Sequence, residues 1–304
     1  MTWYLLQNLF GANHFWTNAL GRSYPSRAKC TLRKKEEKVK IRVCIAGATG
    51  WAGSALTKAV HQAEDLVLSG AVSRSNKGKT IREVLDLNGA DTVISGSVTE
   101  ALQTRCDVMV DFTKPDVAKQ NILAALDSGV HVVVGTSGLS DEDYEEINDI
   151  AKAKNLGVLA AGNFALTVVL LQKFAKIAAK YIPHWEIIDY AGSGKVDVPS
   201  GTVLELANQL GRIRESCLDI PTDQLHGPIE TRGARLNGSQ VHSIRLPGFV
   251  IAAEAIFGMD DQKLVLRHEA GSSATPYVDG ALLAIRKVNT FKGLQRGLDT
   301  IMDI

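Results

Sequence analysis

The stretch of sequence best equipped for chemistry is Asp189 to Val203, which reads Asp-Tyr-Ala-Gly-Ser-Gly-Lys-Val-Asp-Val-Pro-Ser-Gly-Thr-Val. Lys195 can supply a proton or a charge. A few residues on, Pro199 and the capping-box spacing of Thr202 and Glu205 announce a helix patterned at Val203, Leu206, Ala207 and Leu210. The first N–H groups of a helix have no partner inside it, so with the hydroxyls of Ser200 and Thr202 they form a seat for a carboxylate. A capped helix beside a surface lysine explains the same residues equally well, and the segment alone does not decide between the two.

A second group of residues is suited to holding a nucleotide. Ile41 to Gly53 runs from an apolar strand through Gly47-Ala48-Thr49-Gly50-Trp51-Ala52-Gly53 into a helix with apolar residues at Ala52, Leu56 and Ala59. Gly47 permits the tight bend, Gly50 lets a pyrophosphate approach the backbone, and Gly53 allows close packing of helix on strand. A second strand over Leu66 to Val72 supplies the context this turn requires, and Ser73-Arg74 with Lys77 and Lys79 follows it. An NAD site usually places a carboxylate there for the ribose 2′-hydroxyl, whereas Arg74 and the lysines suit a 2′-phosphate. NADPH is therefore the expected cofactor, with NADH as the alternative and a solvated basic loop as the competing reading.

The elements that must position these groups follow from periodicity. Val108 to Phe112 is a buried-type strand ending in Asp111-Phe112-Thr113-Lys114-Pro115, and a helix patterned at Val117, Ile122, Ala125 and Leu126 follows it. His131 to Val134 leads into Gly135-Thr136-Ser137-Gly138. A helix over Asp141 to Lys154 precedes a strand over Gly157 to Ala161, which ends at Gly162-Asn163-Phe164. Strands alternating with helices in this way predict a doubly wound parallel sheet of α/β class over residues 41–164. After a helix over Ala165 to Lys180, strands over Glu186–Tyr190, Gln240–Leu246, Phe249–Phe257 and Lys263–His268 predict a second, α+β domain over 165–276. Its sheet is expected to be open and mixed or antiparallel, with one face covered by another subunit. A final helix over Pro276 to Val288, within a C-terminal helical segment 277–304, is expected to rejoin the first domain.

Composition narrows the function classes. The 304 residues carry 45% hydrophobic and 22% charged residues and a net charge of +1, ordinary for a globular protein. With a pI near 7.7 there is no electrostatic reason to expect nucleic acid or an anionic membrane as partner. No apolar run is long enough to span a bilayer. Cys30, Cys44, Cys106 and Cys217 have no paired spacing, and no His/Cys/Asp cluster has metal-ligand spacing, so neither disulfides nor a metal are expected. Met1 to Lys35 contains no Asp or Glu but six basic residues, among them Arg22, Arg27 and Arg33. Residues 1–40 therefore read as an organelle transit peptide, with a basic leader of no structure as the alternative.

Taken in order, Gly-Ala-Thr-Gly-Trp-Ala-Gly at Gly47, Asp-Phe-Thr-Lys-Pro at Asp111, Gly-Thr-Ser-Gly at Gly135, Gly-Asn-Phe at Gly162, Lys-Val-Asp-Val-Pro-Ser-Gly-Thr at Lys195 and Ile-Arg-Leu-Pro-Gly at Ile244 resemble dihydrodipicolinate reductases. The resemblance runs from about Ile41 to the C-terminus. It implies a Rossmann domain joined to a tetramerising mixed-sheet domain, with hydride passing from NAD(P)H to a cyclic dicarboxylate of lysine synthesis. By the same resemblance, cofactor contacts fall on Gly47, Ala48, Thr49, Gly50, Trp51, Ala52, Arg74, Gly135, Thr136, Ser137, Gly162, Asn163 and Phe164. Lys195 becomes the catalytic lysine, and Gly201 and Thr202 hold the substrate carboxylate.

The departures fall in the substrate half. The family's His-His pair, which serves proton transfer and substrate contact, reads here as Ala191 and Gly192. Trp51 replaces an arginine, Ala252 replaces a histidine, and the stretch after His268 lacks the expected arginine. Losing a positioned proton donor typically costs about 10² to 10⁴ in rate. His131, His184, His226, His242 and His268 lie outside the motif and read as structural. Three functions stay open: the lysine-pathway reductase, a reductase of another cyclic imine or unsaturated acid, and a binding protein that has kept the nucleotide fold. With its transit-like leader, the chain resembles a plastid branch of the family, the chlororespiratory-reduction proteins of plants. That branch helps assemble the chloroplast NAD(P)H dehydrogenase complex in the stroma, so partners from that complex are expected alongside a homo-oligomer.

Overall fold

A computed structural model describes residues 39–303, and the leader expected over residues 1–40 lies almost wholly outside them. The chain runs β1 (Ile41–Ala46), α1 (Trp51–Gln62), β2 (Leu66–Val72), α2 (Ile81–Leu85), β3 (Ile94–Ser95), α3 (Val98–Ala101), β4 (Val108–Asp111), α4 (Pro115–Asp127), β5 (His131–Val134), α5 (Asp141–Ala153) and β6 (Gly157–Ala160). It continues with α6 (Leu166–Tyr181), β7 (His184–Ala191), α7 (Gly201–Gly211), β8 (Ala234–Leu236), β9 (Ser239–Arg245), β10 (Ile251–Met259), β11 (Gln262–Ala270), α8 (Val278–Lys287) and β12 (Gly293–Arg296).

Seven strands form a parallel sheet in the order β12-β6-β5-β4-β1-β2-β3, the doubly wound arrangement expected. Both of its faces are covered, which is why its central strands are predominantly apolar on both faces. On β1, Val43 and Ile45 enter a core with Leu56, Phe164 and Ile285. Cys44 and Ala46 enter a second core on the opposite face with Met109, Ile122 and Ile147. The buried side of α1 is Gly53, Leu56, Thr57 and Val60. Ala52 and Ala59, expected inside, are only half-buried, because the helix turns its smallest residue, Gly53, onto the strand.

The second sheet, β11-β10-β7-β9-β8, is mixed: β7 and β9 are parallel and the other neighbours antiparallel. Helices α6 and α7 cover one face through Ala175, Val203 and Leu206, which meet Trp185, Ile187 and Phe257. The other face carries Glu186, Tyr190, His242 and Arg267; the short helical turn Ile229–Arg232 borders it at Glu186, and no α-helix among the described residues lies over it. Glu186 pairs with Arg232 and His242, and the Arg267 guanidinium stacks 4.6 Å from the Tyr190 ring.

The C-terminal segment departs from expectation. Helix α8 ends at Lys287, and the chain returns through Gly293, at φ +80°, to add β12 to the edge of the parallel sheet. The conformation of Gly293 and then of Gly297, at φ +101°, is one that side-chain-bearing residues rarely adopt, so the segment 277–304 cannot be helical throughout. Four residues of sequence, Gly-Leu-Gln-Arg, have no periodicity to announce a strand, and pairing with β6 alone makes them one.

Candidate active site

At Gly47 and Gly53 the glycine turn is shaped by backbone contacts that leave no room for a Cβ. A Cβ on Gly47 would lie 2.3 Å from the Phe112 carbonyl oxygen, and one on Gly53 would lie 2.0 Å from the Gly47 oxygen. Gly50 caps α1 without a side chain, and the first helical bond is made by Ser54 N–H to the Gly50 carbonyl at 2.8 Å. The N–H groups of Trp51, Ala52 and Gly53 therefore have no acceptor within the helix, and its first turn holds no acid. That donor set fits a diphosphate.

A cleft of about 730 Å³ opens over this turn, lined among others by Gly47, Thr49, Gly50, Trp51 and Arg74. Thr49 Oγ1 lies 2.8 Å from Ser73 Oγ and accepts from Asn76 Nδ2 at 3.2 Å, tying the turn to the end of β2. Arg74 has no hydrogen-bond or ion-pair partner among the described residues and lines the cleft. Lys77, counted with it from sequence, is committed to Glu100 at 3.0 Å and holds that carboxyl below its usual range.

Asp111, fully buried at the end of β4, organises the next two loops. It accepts from Thr113 Oγ1 at 2.7 Å, Thr136 Oγ1 at 2.6 Å and Asn121 Nδ2 at 2.8 Å. The Thr136 hydroxyl is thus a support for the loop rather than a free contact. Gly135 gives way to the Phe112 ring, which would lie 1.9 Å from a Cβ there and which stacks edge-on with Phe164 at 5.7 Å. Thr136, Ser137, Gly162 and Asn163 line a polar cleft of about 950 Å³ toward α6 and α7. Ala48 and Phe164 are buried, and with Ala52, Gly135 and Gly201 they are not among the lining residues of these cavities.

A third cavity, of about 250 Å³, holds the residues singled out first. Lys195, Ser200 and Thr202 line it with Trp51, Asn163 and His268, so Trp51 and Asn163 each border two cavities. Lys195 Nζ lies 2.8 Å from Asp197 Oδ1, whose carboxyl it holds below the usual range. The helix cap differs from the one expected. Ser200 caps α7 by accepting from Val203 N–H at 3.4 Å, two residues before the Thr202–Glu205 pair. The reason is Asp189, 0% exposed, which accepts from Ser200 N at 2.8 Å, Ser200 Oγ at 2.7 Å and Arg245 Nη2 at 2.7 Å. Ser200 is consumed by this internal carboxylate, which leaves Thr202 as the cavity-lining donor of the helix start, with Gly201 exposed beside it.

Ala191, 0% exposed, and Gly192 stand where the resemblance places histidines, and Ala252 lines the cavity as a methyl group. The cavity also takes in His268, read from sequence as structural, and Tyr277, which meets Trp51 edge-on at 5.6 Å. Leu264, Val265 and Leu266 precede His268 without alternation, so nothing local says which face of β11 is inside. Cys44 and Cys106 are thiols whose acidity burial suppresses, Cys217 is exposed, and Cys30 lies outside the described residues. Among the described residues no group of His, Cys, Asp and Glu could hold a metal, and no helix is long and apolar enough to cross a membrane.

Comparison with known proteins agrees with this architecture over nearly the whole described chain. Residues 41–164 match the family model "Dihydrodipicolinate reductase, N-terminus" and residues 167–303 match "Dihydrodipicolinate reductase, C-terminus". The 4-hydroxy-tetrahydrodipicolinate reductase of Desulfitobacterium hafniense is 37% identical over 266 residues, 87% of this chain and 99% of the relative. That of Listeria monocytogenes is 36% identical over 264 residues, 86% of this chain and 100% of the relative. The dipicolinate-bound dihydrodipicolinate reductase from Paenisporosarcina sp. TG-14 superposes with a TM-score of 0.79 at 29% identity, covering 87% of this chain and 100% of that one. An amine dehydrogenase from Mycobacterium smegmatis, at 14% identity and a TM-score of 0.60, shares the fold.

Proposed function

Because the chain belongs to the dihydrodipicolinate reductase family, we propose that it is an NADPH-binding member whose reductase activity is altered. We place it in the chloroplast stroma, in assembly of the NAD(P)H dehydrogenase complex. One observation carries this reading: the nucleotide cleft is complete while buried Ala191 and Gly192 leave no proton-moving group at the positions of the family's histidines. The acid-free basic leader supports the location. The helical face of the second sheet is covered within the chain, and a second copy of the chain over the other face would make a homo-oligomer.

Bound cofactor would supply a hydride. The N–H groups of Trp51, Ala52 and Gly53 would hold its diphosphate and Arg74 its 2′-phosphate, with NADH the weaker ligand. Arg74→Ala is expected to cut the preference for NADPH over NADH by about tenfold or more, the worth of one charge-assisted hydrogen bond. Equal preference in Arg74→Ala and the parent, by calorimetry, would exclude Arg74 as the phosphate ligand.

Complementation of a plant lacking the protein tests the role. The full chain should restore the dehydrogenase complex, residues 41–304 alone should fail for want of import, and Lys195→Ala in the full chain should still restore it. No rescue by the full chain would end the assembly reading.

A second reading is favoured by the cavity that Lys195 shares with Thr202 and His268. Here the protein reduces a small cyclic imine or unsaturated acid, such as a planar carboxylate of the kind bound in the Paenisporosarcina relative. Gly201 and Thr202 would hold the carboxylate and Lys195 would donate the proton. Lys195→Ala should then lower NADPH oxidation by about 10² to 10⁴ while NADPH affinity stays the same, because the phosphate-binding turn does not involve it.

A further inference from the structure

The inward face of the second sheet carries four residues in register: His268 on β11, Ala253 on β10, Asp189 on β7 and Ser243 on β9. Two residues along, the next rung is Ala270, Ile251, Ala191 and Arg245. His268 is therefore two strand spacings, about 10 Å, from the strand that bears Ala191, with Ala253 and Ile251 on the same face of the strand between. It is 6% exposed, yet it lines the cavity that holds Lys195 and Thr202. Its Nδ1 lies 2.8 Å from Thr167 Oγ1 on α6, and its Nε2 has no hydrogen-bond partner among the described residues.

We propose that Thr167 and His268 form a ligand-recognition pair absent from the motif reading, with His268 Nε2–H donating to the second acceptor of a planar ring carboxylate. The first carboxylate of that ligand sits at the open N–H and hydroxyl of Thr202, beside Lys195. The proposal rests on reading this cavity as the substrate pocket. The aromatic rings of Trp51 and Tyr277, edge-on at 5.6 Å, form part of its wall, and its roughly 250 Å³ suits one ring rather than an extended chain.

Tautomer and charge follow from the surroundings. Burial lowers the basicity of His268, although the neighbouring Glu269 opposes this. A neutral ring whose Nδ1 accepts from the Thr167 hydroxyl must carry its hydrogen on Nε2. Asp189, in the same rung, is already satisfied by Ser200 and Arg245 and leaves His268 uncommitted. In that tautomer His268 is a neutral donor at Nε2, and the proton consumed in any reduction comes from elsewhere.

Calorimetric titration of the protein with pyridine-2,6-dicarboxylate and with pyridine-2-carboxylate, each with and without NADPH, tests the pair. The parent should bind the dicarboxylate about tenfold more tightly than the monocarboxylate, the worth of one buried hydrogen bond. His268→Ala should bring that ratio near one with NADPH affinity unchanged. Thr167→Val, a milder change should His268→Ala fail to fold, should narrow the ratio severalfold. A parent that binds no dicarboxylate, a parent ratio near one, or a ratio indifferent to both substitutions would overturn the proposal. Loss of NADPH binding by the parent would instead count against the cofactor reading, and the ratio measured without nucleotide would still decide the role of His268.

Discussion

Replacing Gly53 by alanine is expected to abolish useful NADPH binding and to destabilise the protein by about 3 kcal/mol, the upper part of the range for overpacking a tight contact. The added methyl would lie 2.0 Å from the Gly47 oxygen, 2.8 Å from its carbonyl carbon and 3.4 Å from the Ala48 Cα, all backbone atoms with no side chain to swing away. Gly47 cannot yield, since it sits at φ +83° with its own Cα close beneath the Phe112 carbonyl. Relief therefore moves α1 outward and takes its free N–H groups away from the phosphates. Two lost N–H bonds to a charged group, at about 1.5 kcal/mol each, weaken NADPH about a hundredfold. Gly50→Ala is the control for stability alone, because its methyl meets a single protein atom, the Gly47 oxygen, at 3.2 Å, while it still narrows the approach of a pyrophosphate. Calorimetry that found Gly53→Ala and the parent equal in NADPH affinity would remove this turn as the nucleotide seat.

The second large effect is expected at Asp189. Its carboxylate is fully buried and binds Arg245, whose side chain is 15% exposed, at 2.7 Å. Arg245 also donates to the Asp197 carbonyl at 2.7 Å, so the ion pair ties β7, β9 and the Lys195 loop together. Asp189→Ala leaves the guanidinium without its counter-charge in a protein interior, which costs about 3–5 kcal/mol. It also releases Ser200 N–H and Oγ, loosening the start of α7 where a ligand carboxylate would sit. Urea unfolding should show the loss, and the Asp189→Ala, Arg245→Ala double variant should lose less than the sum of the singles. Unfolding midpoints that add without coupling would mean that the pair does not hold this loop.

The two sites differ in how far they could be read from the chain alone. The nucleotide turn was legible because its glycine spacing is local: Gly47, Gly50 and Gly53 lie within seven residues, and Gly50 and Gly53 answer to the Gly47 carbonyl, whereas the Phe112 carbonyl that presses on Gly47 comes from the end of a distant strand. The centre of the parallel sheet was legible for a similar reason, since burial on both faces writes apolar runs into its inner strands, whereas the edge strand β12 carries no such run. Lys195, Gly201 and Thr202 were found through a motif, but the motif could not show that Ser200 is spent on Asp189, eleven residues earlier. Nor could it show that Lys77 is spent on Glu100.

Sequence alone thus determined the fold class, the nucleotide turn and the loss of the family's histidines, all of which are properties of short segments. Only the tertiary structure decided that β12 closes the edge of the first sheet and that His268 reaches the cavity of Lys195. Thr167 and His268 are 101 residues apart, and they meet because α6 crosses the inward face of β11. Strand register and sheet order place His268, and these depend on pairings between distant segments whose side chains, one by one, carry no mark of them.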